Sequence, residues 1–263
     1  MDLHGGRVRV RRSIRFFSPL LLLVFLFPGS GYAQRGGRGG GAPANPKQAA
    51  ALDLTGYWVS VITEDWKFRM VTPKKGIYET LPLNAEGRRA GDTFDPAKDE
   101  AAGEQCRAYG AANIMRLPER LHITWDNDTT LKIETDAGTQ TRLFHFGQAP
   151  APTGERTWQG FSQAQWEYAA GGGRGGGPRT GNLKVVTTNL RAGYVRKNGA
   201  PYSQNAVVTE YYDLNTMPNG DQHLTITTKV DDSTYFTRPY LTSSDFKKLP
   251  DATAWNPTPC SSR

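Results

Sequence analysis

Two ionisable residues stand where acid–base chemistry can arise: His145 and Glu210, each inside an alternating run that reads as a β-strand. A free imidazole titrates at about 6.5, and a carboxyl group rises toward neutrality when burial strips its water. Held together inside a protein, the two could move a proton in either direction. That would suit a cofactor-free hydration, isomerisation or cyclisation of an apolar substrate. His122 and His223 fall on separate runs without the spacing of paired ligands, so no metal site is expected. The Asp126-Asn127-Asp128 turn carries oxygen ligands but lacks the glycine and distal glutamate of a calcium loop, and reads as a solvated Asx turn. Neither a nucleophile elbow nor a phosphate or dinucleotide loop stands at a strand-to-helix junction, which leaves hydrolase and kinase readings without support.

Aromatic residues supply the material of a pocket. Trp58, Trp125, Trp158, Trp166, Tyr211 and Tyr240 all lie on expected strands, where each either packs the core or lines a ligand cavity. In the run from Trp158 to Trp166, one face reads Trp, Gly, Ser, Ala, Trp. Small residues between two indoles leave space for a ligand, although Gly160 could equally mark a bend. The candidate ligand-binding residues are Trp58, Trp125, His145, Trp158, Ser162, Trp166 and Tyr211. The two cysteines, Cys106 and Cys260, are too far apart for CxxC chemistry and read as a disulfide.

The elements that must position these residues are strands. From Leu54 onward, apolar residues alternate at period two over 54–62, 112–117, 121–126, 130–136, 140–146, 157–168, 183–189, 206–213, 223–230 and 235–242. A helix is expected only at 96–107, with Asp95 as its cap and Pro96 in the first position. Hairpin spacing with little helix predicts an all-β fold, a closed or nearly closed antiparallel barrel of eight to ten strands. Pairing Trp125 with Leu131 sets Ile123 beside Ile133 on the apolar face and His122 beside Glu134 on the polar face. Continued through the 136–139 turn, this pattern puts Thr141, Leu143 and His145 inside and Arg142 outside. For the 206–213 strand, alternation does not choose between Val208, Glu210 and Tyr212 and the opposite set.

Five arginines precede an apolar run from Phe16 to Phe27 that ends in Gly31-Tyr32-Ala33, the pattern of a signal peptide cleaved near Ala33. Twelve core residues fall short of the roughly 20 that a membrane-spanning helix needs. The chain is therefore expected to be periplasmic or secreted, with no membrane span after processing. Its net charge of +7 would drop to +3 once five arginines and one aspartate leave with the signal. That balance does not call for a nucleic acid partner. A Gly/Arg/Pro-rich linker is expected over 34–50, a single barrel domain over 51–263, and a Gly-rich loop at 170–180.

Gly56-Tyr57-Trp58 in the first strand resembles the Gly-x-Trp entry motif of lipocalins, which implies a tryptophan closing one end of a ligand-holding barrel. Gly103-Glu104-Gln105-Cys106, the segment Ile133 to Gly138, Trp158-Gln159-Gly160, Thr209 to Tyr212 and the ending Trp255 to Cys260 resemble an uncharacterised family of exported bacterial proteins. That resemblance implies fold and location and brings no catalytic residue. Together these readings predict a lipocalin-like barrel that binds a small, largely apolar molecule in its interior, with His145, Trp158 and Trp166 among the lining residues. The alternatives are the acid–base enzyme above, or a structural or interaction domain of the cell envelope.

Overall fold

Nine strands close on themselves in a barrel. The computed structural model describes residues 45–150, 152–169 and 180–262. The expected signal segment, the linker up to residue 44 and all but the last residue of the Gly-rich loop lie outside these residues. The strands are β1 (Gly56–Val61), β2 (Arg120–Asn127), β3 (Thr130–Thr135), β4 (Gln140–Phe146), β5 (Phe161–Tyr168), β6 (Gly181–Thr188), β7 (Gly193–Arg196), β8 (Ala200–Tyr202), β9 (Val207–Thr216), β10 (Gln222–Asp231) and β11 (Tyr240–Leu249). Around the barrel the order is β1, β11, β10, β9, β6, β5, β4, β3, β2, and β7 pairs with β8 as a separate hairpin.

The β2–β3 hairpin forms in the expected register, with Trp125 opposite Leu131, Ile123 opposite Ile133 and His122 opposite Glu134. The next hairpin corrects the expectation. Thr135 pairs with Gln140, so Ile133 stands opposite Arg142 and Leu131 opposite Phe144. The four-residue loop 136–139 makes each inward odd-numbered residue of β3 face an even-numbered residue of β4, and a one-residue change of parity turns a whole strand over. Arg142, Phe144 and Phe146 are therefore buried, while Thr141 and Leu143 are exposed and His145 is half-buried on the outer face. On β9 the inward set is Val208, Glu210 and Tyr212.

The barrel is mixed rather than purely antiparallel, because β4 and β5 run parallel. Parallel neighbours cannot be joined by a tight turn, and the described residues 147–150 and 152–160 lie between the two strands in the chain. β5 starts at Phe161 instead of Thr157. Gly160, at φ +60°, makes a bend there, and a Cβ on it would lie 2.4 Å from the Thr188 carbonyl oxygen. The expected strand at 112–117 is instead a buried turn with a 3-10 segment at Ile114–Arg116, where the Asn113 side chain donates to the Ala108 carbonyl. The expected 235–242 strand begins only at Tyr240, directly after Pro239, which has no N–H to give a ladder.

The helix at Asp95 forms as expected at its start: α3 spans Pro96–Ala101 and the Asp95 side chain accepts from the Ala97 N–H, but it stops short of 107. Two further helices, α1 (Trp66–Arg69) and α2 (Ala85–Asp92), lie in the long segment between β1 and β2. Together with β7 and β8 this segment builds a second apolar cluster, including Tyr78, Leu83, Tyr202, Val208, Phe236 and Tyr240. Cys106 and Cys260 are joined, with their Cα atoms 5.1 Å apart.

Candidate functional site

Inside the barrel, Arg142 on β4 and Glu210 on β9 meet with neither side chain exposed to solvent. The guanidinium donates through Nη1 to Oε1 at 2.8 Å and through Nη2 to Oε2 at 2.6 Å. Nη2 also donates to Thr187 Oγ1 at 3.2 Å, and Thr187 shares a hydrogen bond of 2.8 Å with the Ser162 hydroxyl. Tyr212 donates its hydroxyl proton to Glu210 Oε1 at 3.3 Å. Two opposite charges can stand in this interior because each neutralises the other and most of their polar atoms are bonded. Burial lowers the basicity of Arg142, but the charge of Glu210 outweighs it and the guanidinium stays protonated. The Tyr212 phenol is pushed well above its usual range by burial and then by the Glu210 charge.

Glu119, just before β2, is the exception to this balance. It is 2% exposed, and neither of its carboxyl oxygens has a hydrogen-bond partner among the described residues. Burial, and then the negative charge of Asp136, hold its proton on well above the carboxylate range.

The sequence-expected residues separate into two groups. Trp58 is fully buried inside; its indole N–H donates to the Leu54 carbonyl at 2.9 Å, and Lys248 of the last strand lies 5.4 Å over its ring. Ser162 is also inside. Trp125 and Trp166 sit half-buried at one mouth, on either side of Phe146 at 5.5 and 5.4 Å. That mouth is crossed by residues 45–50: Trp166 donates to the Pro46 carbonyl at 2.9 Å and Tyr168 to the Ala49 carbonyl at 2.8 Å. Tyr240 is buried in the second apolar cluster.

The second group stands outside the wall. Tyr211 lies under Lys184 Nζ, and Trp158 donates to the Ala192 carbonyl with Arg191 4.6 Å over its ring. His145 stacks on Phe161 at 5.3 Å, with Thr130 Oγ1 3.5 Å from Nδ1. His145 and Glu210, expected to act together, are thus on opposite faces of the barrel wall. Sequence reasoning missed Arg142 and Glu119. For Arg142 the available signal was the even length of the 136–139 loop.

His145 nevertheless lines a cavity, an outer groove of about 590 Å³ bounded by Thr141, Leu143, Phe161, Gln159 and the prolines 150 and 152. Its origin is the parallel seam. β4 and β5 pair only from Phe144 to Phe146, so the start of β4 has no strand neighbour on that side, and Pro150, Pro152, Thr157 and Gln159 form the opposite bank. A second cleft of about 490 Å³ lies between α3 and the β7–β8 hairpin. Within it Asp99 accepts from Arg107 at 3.0 Å and from the Tyr194 hydroxyl at 2.9 Å, while the buried Tyr202 hydroxyl has no partner among the described residues.

Compared with known proteins, the chain matches no family model and no curated sequence.

Proposed function

We propose that the protein is an exported, lipocalin-like barrel that binds a small, largely apolar molecule in the outer groove beside His145. The observation that carries this reading is the groove itself. Its 590 Å³ falls within the few hundred to about 1,000 Å³ usual for ligand sites, and its walls are mostly apolar with one imidazole and a few other polar groups. Leu143 supports the reading, since it is 40% exposed there, a large apolar side chain on the outside of a strand whose inner face holds an arginine. The barrel interior, by contrast, is occupied by Trp58, Arg142, Phe144, Tyr212 and Phe246, each less than 2% exposed. The barrel then serves as a rigid frame for a site on its seam.

Titration with an environment-sensitive naphthalene dye, and extraction of small molecules that copurify, test this. The dye should bind the parent saturably, and Leu143→Asp, which places a charge in the groove without touching the core, should weaken it tenfold or more. Equal binding by the variant, or no binding by the parent, would sink the proposal.

A further inference from the structure

Among the described residues, four large apolar side chains stand more than half in solvent, and three of them come from one six-residue stretch. Trp66, Met70 and Val71 are 65%, 58% and 67% exposed, with Leu241 the fourth at 63%. β1 ends at Val61 opposite Asp245, so the chain leaves it at the end of the barrel where β11 begins, and Leu241 stands at that same end. Single apolar residues on a surface are ordinary, whereas a contiguous group points to a contact.

The opposite side of the same turn is anchored, which fixes these side chains outward. Phe68 lies half-buried with the Arg196 guanidinium 4.5 Å over its ring, and the buried Arg69 pairs with Glu64 and donates through Nε to the Arg116 carbonyl at 2.8 Å. The Met70 N–H donates to the Trp66 carbonyl at 2.9 Å, so those two side chains share the outer face, one turn apart. Three exposed lysines flank them. Lys67 Nζ lies 5.3 Å over the Phe68 ring, Lys75 donates to the Phe94 carbonyl at 3.0 Å, and neither these two nor Lys74 pairs with a carboxylate among the described residues. The carboxylates of the segment are mostly committed. Glu64 serves Arg69, and Asp65 accepts from Arg116 at 2.8 Å with Arg196 4.0 Å away, which leaves Glu79 as the exposed one outside an ion pair. On α2, the next helix, Arg89 pairs with Glu86, while Arg88 and Asp92 offset each other in charge.

From this arrangement we infer that the 66–75 segment is a docking surface for an anionic lipid bilayer, with Trp66, Met70 and Val71 entering the headgroup layer and Lys67, Lys74 and Lys75 lying on the lipid phosphates. An indole suits that layer because its ring is apolar while its N–H stays in reach of water. Lysine suits it too, since the stem covers apolar surface and the ammonium remains hydrated. The attraction of clustered lysines to anionic headgroups fades within a Debye length, so the contact is reversible and weakens with salt. The surface is separate from the His145 groove on the β4–β5 seam, and neither reading depends on the other.

The test is flotation of the chain from Gln34 onward, which contains the whole described fold and lacks the apolar run at 16–27, with vesicles of phosphatidylcholine alone or mixed with phosphatidylglycerol. The parent should float with the mixed vesicles at low salt, release at high salt, and shift its tryptophan emission to the blue on binding. Trp66→Ser combined with Met70→Ser should weaken binding about tenfold or more and remove the blue shift. Lys67→Gln and Lys74→Gln should each weaken it about fivefold. All four side chains are exposed, so the variants should keep the parent's circular dichroism and thermal midpoint. No flotation of the parent, equal flotation with neutral and mixed vesicles, or undiminished flotation of the double variant would overturn the inference. A parent that sediments as a dimer, with Trp66→Ser monomeric, would overturn it as well and give the surface to a second copy of the chain.

Discussion

Without the guanidinium of Arg142, Glu210 would remain buried with a full charge and one hydrogen bond, from Tyr212. Arg142→Met should therefore cost about 3–5 kcal/mol in urea unfolding, the usual penalty for stranding one member of a buried pair. Arg142→Met combined with Glu210→Leu should recover most of that loss, because an apolar replacement of both groups strands nothing. A double variant as unstable as the single would show that the rest of the polar layer needs the charges. Glu119 poses the opposite case. Its folded form keeps its proton to higher pH than the unfolded chain, which releases it near 4.3. The folded state then binds more protons than the unfolded one, and the contribution of Glu119 to stability falls as pH rises through that window. Glu119→Gln does not titrate, so its urea midpoint should change less between pH 5 and pH 8 and exceed the parent's at pH 8. Parallel curves for the two proteins would refute this.

Among the elements, strands and local pairings were readable, and the side facing the core was readable for β2–β3, where a bulge between Trp125 and Asn127 keeps odd-numbered residues opposite odd-numbered ones, but not across the 136–139 loop. The β2–β3 register followed from matching Trp125, Ile123 and His122 against their partners, since both faces voted the same way. Across 136–139 the apolar rule misled, because Leu143 is outside and Arg142 inside. A buried ion pair is invisible on either strand alone, since Arg142 is compensated by a residue 68 positions away. The groove was not legible either. It depends on β4 and β5 being parallel, which no local pattern encodes, and His145 was picked for the wrong side of the wall. The bend at Gly160 closes that seam. Gly160→Ala should destabilise by about 1–3 kcal/mol, the range for a non-glycine residue forced into an unfavourable backbone setting. An added Cβ would also press on the Thr188 carbonyl, so the dye affinity of the groove should change with it. A neutral Gly160→Ala on both measurements would remove the bend from the account.

At the scale of the whole molecule, closure joins regions far apart in sequence. β1 pairs with β11 on one side and β2 on the other, so the first strand stays unpaired on one edge until the last is made. The tail after β11 returns across the 136–139 turn, where the Thr258 N–H donates to the Asp136 carbonyl at 2.8 Å, and the Cys106–Cys260 bond fixes it. Replacing either cysteine with Ser should cost about 2–5 kcal/mol and expose the chain beyond Trp255 to limited proteolysis. A tail that stays protected would mean that Trp255, edge-on to Tyr57 at 5.9 Å, and the Thr258 contacts suffice alone. The bridge also sets an order of events during synthesis. Cys106 is made 154 residues before Cys260, a lag of roughly 8–30 s at 5–20 residues per second. Throughout that lag the Cys106 thiol has no mate in its own chain, and because the chain holds two cysteines, no internal mispairing exists for an isomerase to correct. What competes with the native bond is capture of Cys106 by another molecule, so oxidative refolding should lose yield to disulfide-linked dimers as protein concentration rises, with scrambled monomers absent.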